Sequence, residues 1–379
     1  MKIGIVTSGL GIGGLARVVT VVGESVNSQE NEILYFSIDN RDSYWTINDN
    51  SRIFTGDFSH NLLKNYMLKA EKAIEYVFKR GKIDINRYQR PLIEQLKNFV
   101  SENDIDILVL TSAHQISTIP ILKSLCFNLK TISWIHESYE AIMADSKKFI
   151  KNFISGLESS DYVVCLTKSS TNYFLTFNRH TVEINNPVSI ENSCKKSDLS
   201  SSNVSFVSRI SFGKGEKGLD LLLDVAKKLP PDIHIMIAGS GEKKDELVFS
   251  KMIESQGLKD KITWHGSKRG NALVQHYLNS SLFISTSRSE GFSLVILEAM
   301  SLGLPILSTP TNGANELLQY GKYGEISEIG DPANFAKKIE NIIHNQKELR
   351  RLQSLSLLRA KDFDMKKIRG QWEKLIRSL

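Results

Sequence analysis

Leu282-Phe283-Ile284-Ser285-Thr286-Ser287-Arg288-Ser289-Glu290-Gly291-Phe292-Ser293-Leu294-Val295-Ile296-Leu297-Glu298-Ala299-Met300 is the stretch from which the fold of this 379-residue chain is read. Leu282–Ser285 has the length and the apolar character of a strand buried on both faces. Gly291 and Ser293 then open an apolar run that ends at Leu302-Gly303, with Pro305 beyond. This pattern predicts a serine-capped helix of about three turns. Pro305–Leu307 starts the next short apolar run. A strand, a crossover helix and a second strand, with no hairpin turn between them, are the repeating unit of a parallel sheet covered by helices.

The same alternation extends in both directions. Strands are expected at Lys2–Val6, Ile33–Ser37, Ile107–Leu110, Thr131–Ile135, Tyr162–Cys165 and Thr181–Ile184. In the second half they are expected at Val204–Val207, His234–Ala238, Ile262–Trp264, Leu282–Ser285 and Pro305–Leu307. The fold class is α/β, with one doubly wound sheet in each half. Asn185 to Asn203 is rich in serine, lysine and acidic residues and has no periodicity, which places a hinge there. The expected domains are 1–185 and 186–361. The last segment, 362–379, carries Phe363, Ile368, Trp372, Leu375 and Ile376 at helical spacing, so it is expected to pack back on the first domain.

Composition narrows the function classes. With 48 Lys+Arg against 42 Asp+Glu, the chain carries only +6, and no basic cluster alternates with aromatics, so nucleic acid is not an expected partner. Cys126, Cys165 and Cys194 are too few and too scattered for a disulfide framework or a metal site. A reducing, cytoplasmic setting is expected, and no apolar run is long enough to span a bilayer. From Asn61 to Val100 there are 9 Lys/Arg against 4 Asp/Glu, with Leu62, Leu63, Tyr66, Met67, Ile74 and Val77 as a helical stripe. Two readings stand: a solvated helix whose stripe joins the core, or a helix lying on the anionic inner face of the cell membrane.

The opening stretch also carries chemistry. A helix N-terminus at the carboxyl end of a parallel strand offers free N–H groups and a positive dipole end to a diphosphate, and Gly291 allows close approach. Glu290 precedes that helix and Glu298 follows eight residues later, about 12 Å along the axis at roughly 1.5 Å per residue. That span suits a ligand with hydroxyl-rich ends on either side of a diphosphate, because carboxylates accept bonds from sugar hydroxyls.

Glu290 through Glu298 resembles the E-x7-E signature of retaining glycosyltransferases of the GT-B fold, family 4. The resemblance extends over about Val204 to Ile326. It implies two Rossmann-like domains facing a cleft, and transfer of a hexose from a UDP- or GDP-sugar to a glycan or lipid-linked acceptor, as in bacterial surface polysaccharide synthesis. No cofactor or metal is implied. Val207-Ser208-Arg209 and Lys217-Gly218-Leu219-Asp220 resemble the family's diphosphate-neutralising Arg and Lys. The Arg-to-Lys spacing is eight where the family usually has five, and Lys214 at the usual spacing is kept as the alternative to Lys217. The donor would be held by Gly291, Phe292, Ser293, Leu294 and Glu298. Ile237-Ala238-Gly239-Ser240-Gly241 resembles the strand-end Gly-x-Gly near the nucleoside, and Gly313-Ala314-Asn315-Glu316 a further family element.

In the first half, Gly13-Gly14 resembles the family's loop at the donor phosphates, although the Glu that often follows is Ala16 here. His136, at the end of a strand and beside Glu137, resembles the His near the transferred sugar, and His114 is a lesser candidate. Asn186-Pro187-Val188 resembles the hinge-side turn. Catalytic roles thus fall on Glu290, His136, Arg209 and Lys217. Two other enzyme classes remain in view. A nucleotide-sugar epimerase shares the frame. A nicotinamide-dependent oxidoreductase would use Gly9-Leu10-Gly11-Ile12-Gly13-Gly14 with Asp39, but has no use for the Glu290/Glu298 helix.

Overall fold

The computed structural model describes the chain except residues 12, 40–42, 44, 46, 49, 57–61 and 191–194, and omits the side chains of 62–67 and 69. Cys194 and His60 therefore lie outside the described residues, as do the side chains of Leu62, Leu63, Tyr66 and Met67. Two compact units form: Met1–Pro187 together with Met365–Leu379, and Val188–Asp364.

The first unit contains β1 (Lys2–Thr7), β2 (Glu32–Ser37), β3 (Arg52–Thr55), β4 (Ile107–Leu110), β5 (Lys130–Ile135), β6 (Tyr162–Cys165) and β7 (Thr181–Glu183). They pair in the order β3-β2-β1-β4-β5-β6-β7, all in parallel. The second unit contains β8 (Asn203–Val207), β9 (His234–Ala238), β10 (Ile262–Trp264), β11 (Leu282–Ser285), β12 (Ile306–Ser308) and β13 (Glu325–Ile326). Their order, again all parallel, is β10-β9-β8-β11-β12-β13. All strands expected from the sequence are present, and both sheets are doubly wound.

Two strands escaped sequence reading. β3 and β13 are edge strands, and neither buries a continuous apolar run: Arg52–Thr55 is largely exposed and β13 has only two residues, both half-buried. A strand paired on one side alone can be short and polar, so it leaves no period to read.

Each sheet has its own core. Leu34, Leu108, Ile116, Phe153, Val163 and Phe174 are sealed in the first unit, and Phe206, Leu222, Ile235, Phe249, Ile284 and Phe335 in the second. The helix Met365–Arg377 buries Ile368, Trp372, Leu375 and Ile376 within the first unit. There the Trp372 ring meets Trp134 of β5 edge-on at 4.7 Å.

In both sheets the first strand in sequence is the switch point: β1 lies between β2 and β4, and β8 between β9 and β11. Successive connections depart in opposite directions from such a strand, which opens a crevice at its carboxyl end where ligands of open α/β sheets bind. The loops Ser8–Gly13 and Ser208–Gly218 both leave these points.

In the helix Leu62–Phe78, the two stripe residues with described side chains, Ile74 and Val77, do not join the core. Ile74, Val77 and Phe78 are 57%, 74% and 83% exposed, whereas Glu75 on the inner side is buried. Glu75 accepts bonds from Lys79, Tyr88 and the Asp84 amide, and these hold its carboxyl down at about 2.

Candidate active site in the second unit

Three chain segments build the site. Arg209 follows β8 on an exposed strand extension. The extension is fixed by glycines: a Cβ on Gly239 would lie 1.8 Å from the Ser208 carbonyl oxygen, and one on Gly241 equally close to that of Ile210. Gly239 also has φ +145°, a conformation side-chain-bearing residues avoid. The Gly-x-Gly therefore lets the turn after β9 lie directly against the backbone on either side of Arg209.

The second segment is Lys217-Gly218, leading into the helix Leu219–Ala226. Gly218 has φ +59°, and its Cβ would fall 1.9 Å from the Thr286 carbonyl oxygen. The Thr286 hydroxyl donates to the carbonyls of Lys217 and Gly218, tying this turn to the end of β11. Arg288 adds a forked pair with Asp220 at 2.7 and 2.6 Å and donates to the Gly215 carbonyl. The guanidinium holds the Asp220 carboxyl below its ordinary range. Sequence reading missed this strut because its partners lie 68 residues apart.

The third segment is the loop and helix after β11. Lys217 Nζ donates to Glu290 Oε1 at 2.6 Å, and Ser287 Oγ donates to the same oxygen at 3.0 Å. Lys217 has a side chain 21% exposed and reaches Glu290, while Lys214 is 64% exposed and sits 3.9 Å from Glu216.

The helix itself spans Leu294–Ser301, about two turns rather than the three expected. Ser293 occupies the N-cap position but makes no capping bond, and its hydroxyl is buried without a partner. The expectation of a serine-capped start is thus corrected: the Ser293 side chain makes no bond to the helix amides. The beginning of the helix Asn312–Leu318 is packed against this turn, where a Cβ on Gly313 would meet Phe292 Cα at 2.8 Å.

The structure does not bring Glu298 together with Glu290. Glu298 is 1% exposed, with Tyr277 Oη donating to Oε2 at 2.9 Å and Ser189 Oγ to Oε1 at 3.3 Å. Both hydroxyls lie far away in sequence and carried no signal there.

In the first unit, Gly13 and Gly14 open the exposed start of the helix Gly14–Val26. Trp45 Nε1 donates to the Gly11 carbonyl, and Arg17 lies 5.2 Å over its ring. His136 follows β5 directly, its ring 4.3 Å from Trp134. Burial pulls its pKa down to about 3, so it is a neutral imidazole at physiological pH. His136 Nε2, Trp134 Nε1 and Trp372 Nε1 are buried without hydrogen-bond partners.

Residues 196–355, nearly all of the second unit, match the sequence model of the family described as "Glycosyl transferases group 1". Over 99% of both chains, the sequence is 23% identical to an uncharacterized glycosyltransferase of Haemophilus influenzae. It is 28% identical, over 34% of this chain and 36% of the relative, to a lipopolysaccharide core biosynthesis glycosyltransferase of Rhizobium meliloti. Among solved structures, HepE of Anabaena in complex with UDP superposes with a TM-score of 0.76 at 18% identity, covering 100% of each chain. The fold is that of the GT-B class, two Rossmann-like parallel-sheet domains in one chain. Together these findings support a glycosyltransferase of group 1.

Proposed function

We propose that the chain is a retaining glycosyltransferase that moves a hexose from a UDP- or GDP-sugar to a glycan or lipid-linked acceptor in bacterial surface polysaccharide synthesis. The observation that carries this reading is the Lys217–Glu290 pair beside the uncapped Ser293 helix start. The pair is a site in its resting state. A diphosphate seated on the amides of Ser293 and Leu294 would draw the lysine's charge, leaving the Glu290 carboxylate to accept hydroxyls of the hexose. Arg209 and Lys217 meet the leaving-group charge in this reading, so no metal or cofactor is called on.

In the reaction, the bond from the anomeric carbon to the diphosphate breaks. The acceptor oxygen bonds to that carbon on the same face, and the acceptor proton passes to the departing phosphate oxygen. In this reading Gly239 and Gly241 would serve the nucleoside and Glu298, once released from Tyr277 and Ser189, the ribose, while Gly13, Gly14 and His136 keep the donor roles that the family resemblance implies. Peripheral contact with an anionic membrane at the cytoplasmic face belongs to the same proposal and is supported by the exposed Ile74, Val77 and Phe78. Among the described residues no helix is long and apolar enough to cross a bilayer.

The test is donor turnover across a panel of UDP- and GDP-sugars, with NADH binding as the control for the oxidoreductase alternative. Glu290→Ala should lower turnover on the active donor by at least about a hundredfold, the scale of losing one preorganised electrostatic partner. Wild-type turnover by Glu290→Ala would end the reading.

A further inference from the structure

The carboxyl edge of the first sheet gathers two lysines that no carboxylate among the described residues pairs with, beside a histidine. His114 stands four residues beyond the end of β4. Lys148 lies in the short turn Lys147–Phe149, just before the helix Ile150–Ser159 that runs back to the start of β6. Tyr88 ends the turn before the helix Arg90–Asn103, which returns to the start of β4. All three therefore sit at the same end of the sheet as His136.

The helix Leu62–Phe78 lies across them. Lys72 Nζ is 5.9 Å from the centre of the Tyr88 ring, and Lys148 Nζ is 5.2 Å from that of Tyr76, one helical turn beyond Lys72. The His114 ring packs 4.5 Å from Phe149, next in sequence to Lys148. Backbone and side-chain bonds lock the frame: the Ile83 amide donates to the Lys148 carbonyl, Asn152 accepts from the Ile85 amide, and Asn86 donates to the Ser117 carbonyl.

Nearby carboxylates are already engaged, Glu75 with Lys79 and Tyr88 and Glu71 with Arg87. No carboxylate among the described residues forms an ion pair with Lys72 or Lys148. Burial first, and then the Lys148 charge, lower the Lys72 pKa, and His114 is lowered by burial and then by Lys72. Holding like charges together costs free energy that a bound anion would return.

We infer that Lys72, Lys148 and His114 form a subsite for a phosphate group borne by the acceptor. Two ammonium groups and an imidazole supply donors to phosphate oxygens, while the Tyr76 and Tyr88 rings hold the lysine stems in place. These residues belong to the first unit, whereas the Lys217–Glu290 pair belongs to the second. The inference rests on the transferase reading only in calling the phosphate the acceptor's; the binding itself does not depend on it.

Inorganic pyrophosphate is the first probe, followed through the His114 ring resonances of the full chain, assigned by their loss in His114→Gln. It should perturb them in the wild type and equally in Lys217→Ala, in which donor-site binding is impaired. Lys72→Gln with Lys148→Gln should weaken that binding by about tenfold per lysine. Phosphatidylglycerol vesicles, read by flotation, are the second probe. Vesicle binding lost in the double variant would make the phosphate lipid-borne. Pyrophosphate binding without vesicle binding would make it soluble or polymer-borne. If neither probe distinguishes the double variant from the wild type, the subsite does not exist. These are binding measurements without donor, so a failed transfer assay leaves them unaffected.

Discussion

Gly218 holds Lys217 in place through its own lack of a side chain. A methyl group there meets the Thr286 carbonyl oxygen at 1.9 Å, at a φ of +59°. Gly218→Ala should therefore destabilise the second unit by at least about 2 kcal/mol, read as a lower urea midpoint. Gly13 provides the contrast, since a Cβ there meets nothing within 4 Å. Gly13→Ala should leave the midpoint unchanged, and any change in donor affinity would then belong to the ligand. The buried histidines act in a different way. Burial lowers His136 to about 3 and His276 to about 4, against an ordinary 6.5. Because the unfolded chain takes up protons first, the stability they provide is complete above about pH 6.5 and is lost as pH falls toward their folded values. The urea midpoint should drop between pH 7 and pH 5, and His136→Leu should flatten that slope. A midpoint independent of pH in the wild type would contradict the burial of both rings.

Among the elements, the helix Leu294–Ser301 is the most informative. Its N-cap hydroxyl is buried and makes no bond, so Ser293→Ala should cost less than about 0.5 kcal/mol, where an ordinary capping serine costs about 1. The same variant should weaken donor binding several-fold by calorimetry. A normal capping loss with unchanged donor affinity would show the serine to be structural. This element also marks the limit of what was legible in sequence. The strand before it, the Gly/Pro stop after it and Glu290 at its entrance were read from residue types alone, because apolar period and turn chemistry are local properties. Its length was over-read, since Leu302 continues the apolar pattern but is the cap after Ser301, its amide closing the last turn onto the Glu298 carbonyl. The Ser287 bond to Glu290, the Tyr277 and Ser189 bonds to Glu298, and the Arg288–Asp220 strut lay beyond reach. Each joins residues that only the sheet order or the loop path brings together. β3 and β13 were invisible for a related reason: an edge strand is defined by its neighbour more than by its own composition.

At the scale of the molecule, the chain leaves the first unit at Pro187 and returns to it at Met365. The returning helix is held by Trp372, 3% exposed and edge-on to Trp134. Trp372→Ala should cost roughly 3–5 kcal/mol, as for other aromatic truncations in cores. The loss should appear in the transition of the first unit, whose Trp134 emission reports it, and leave that of the second unit in place. Simultaneous loss of both transitions would mean that the units do not unfold separately.

The return of the chain also sets an order on biosynthesis. Domains ordinarily fold in the order in which they leave the ribosome, amino-terminal first. Here the earlier-made sheet lacks one covering helix until residues Met365–Arg377 are made, so the second unit, contiguous in sequence, has all its parts first. Until then the indole of Trp134 lacks its Trp372 partner, and a nascent chain stalled before Met365 would offer that uncovered patch to chaperones while already holding a complete second unit.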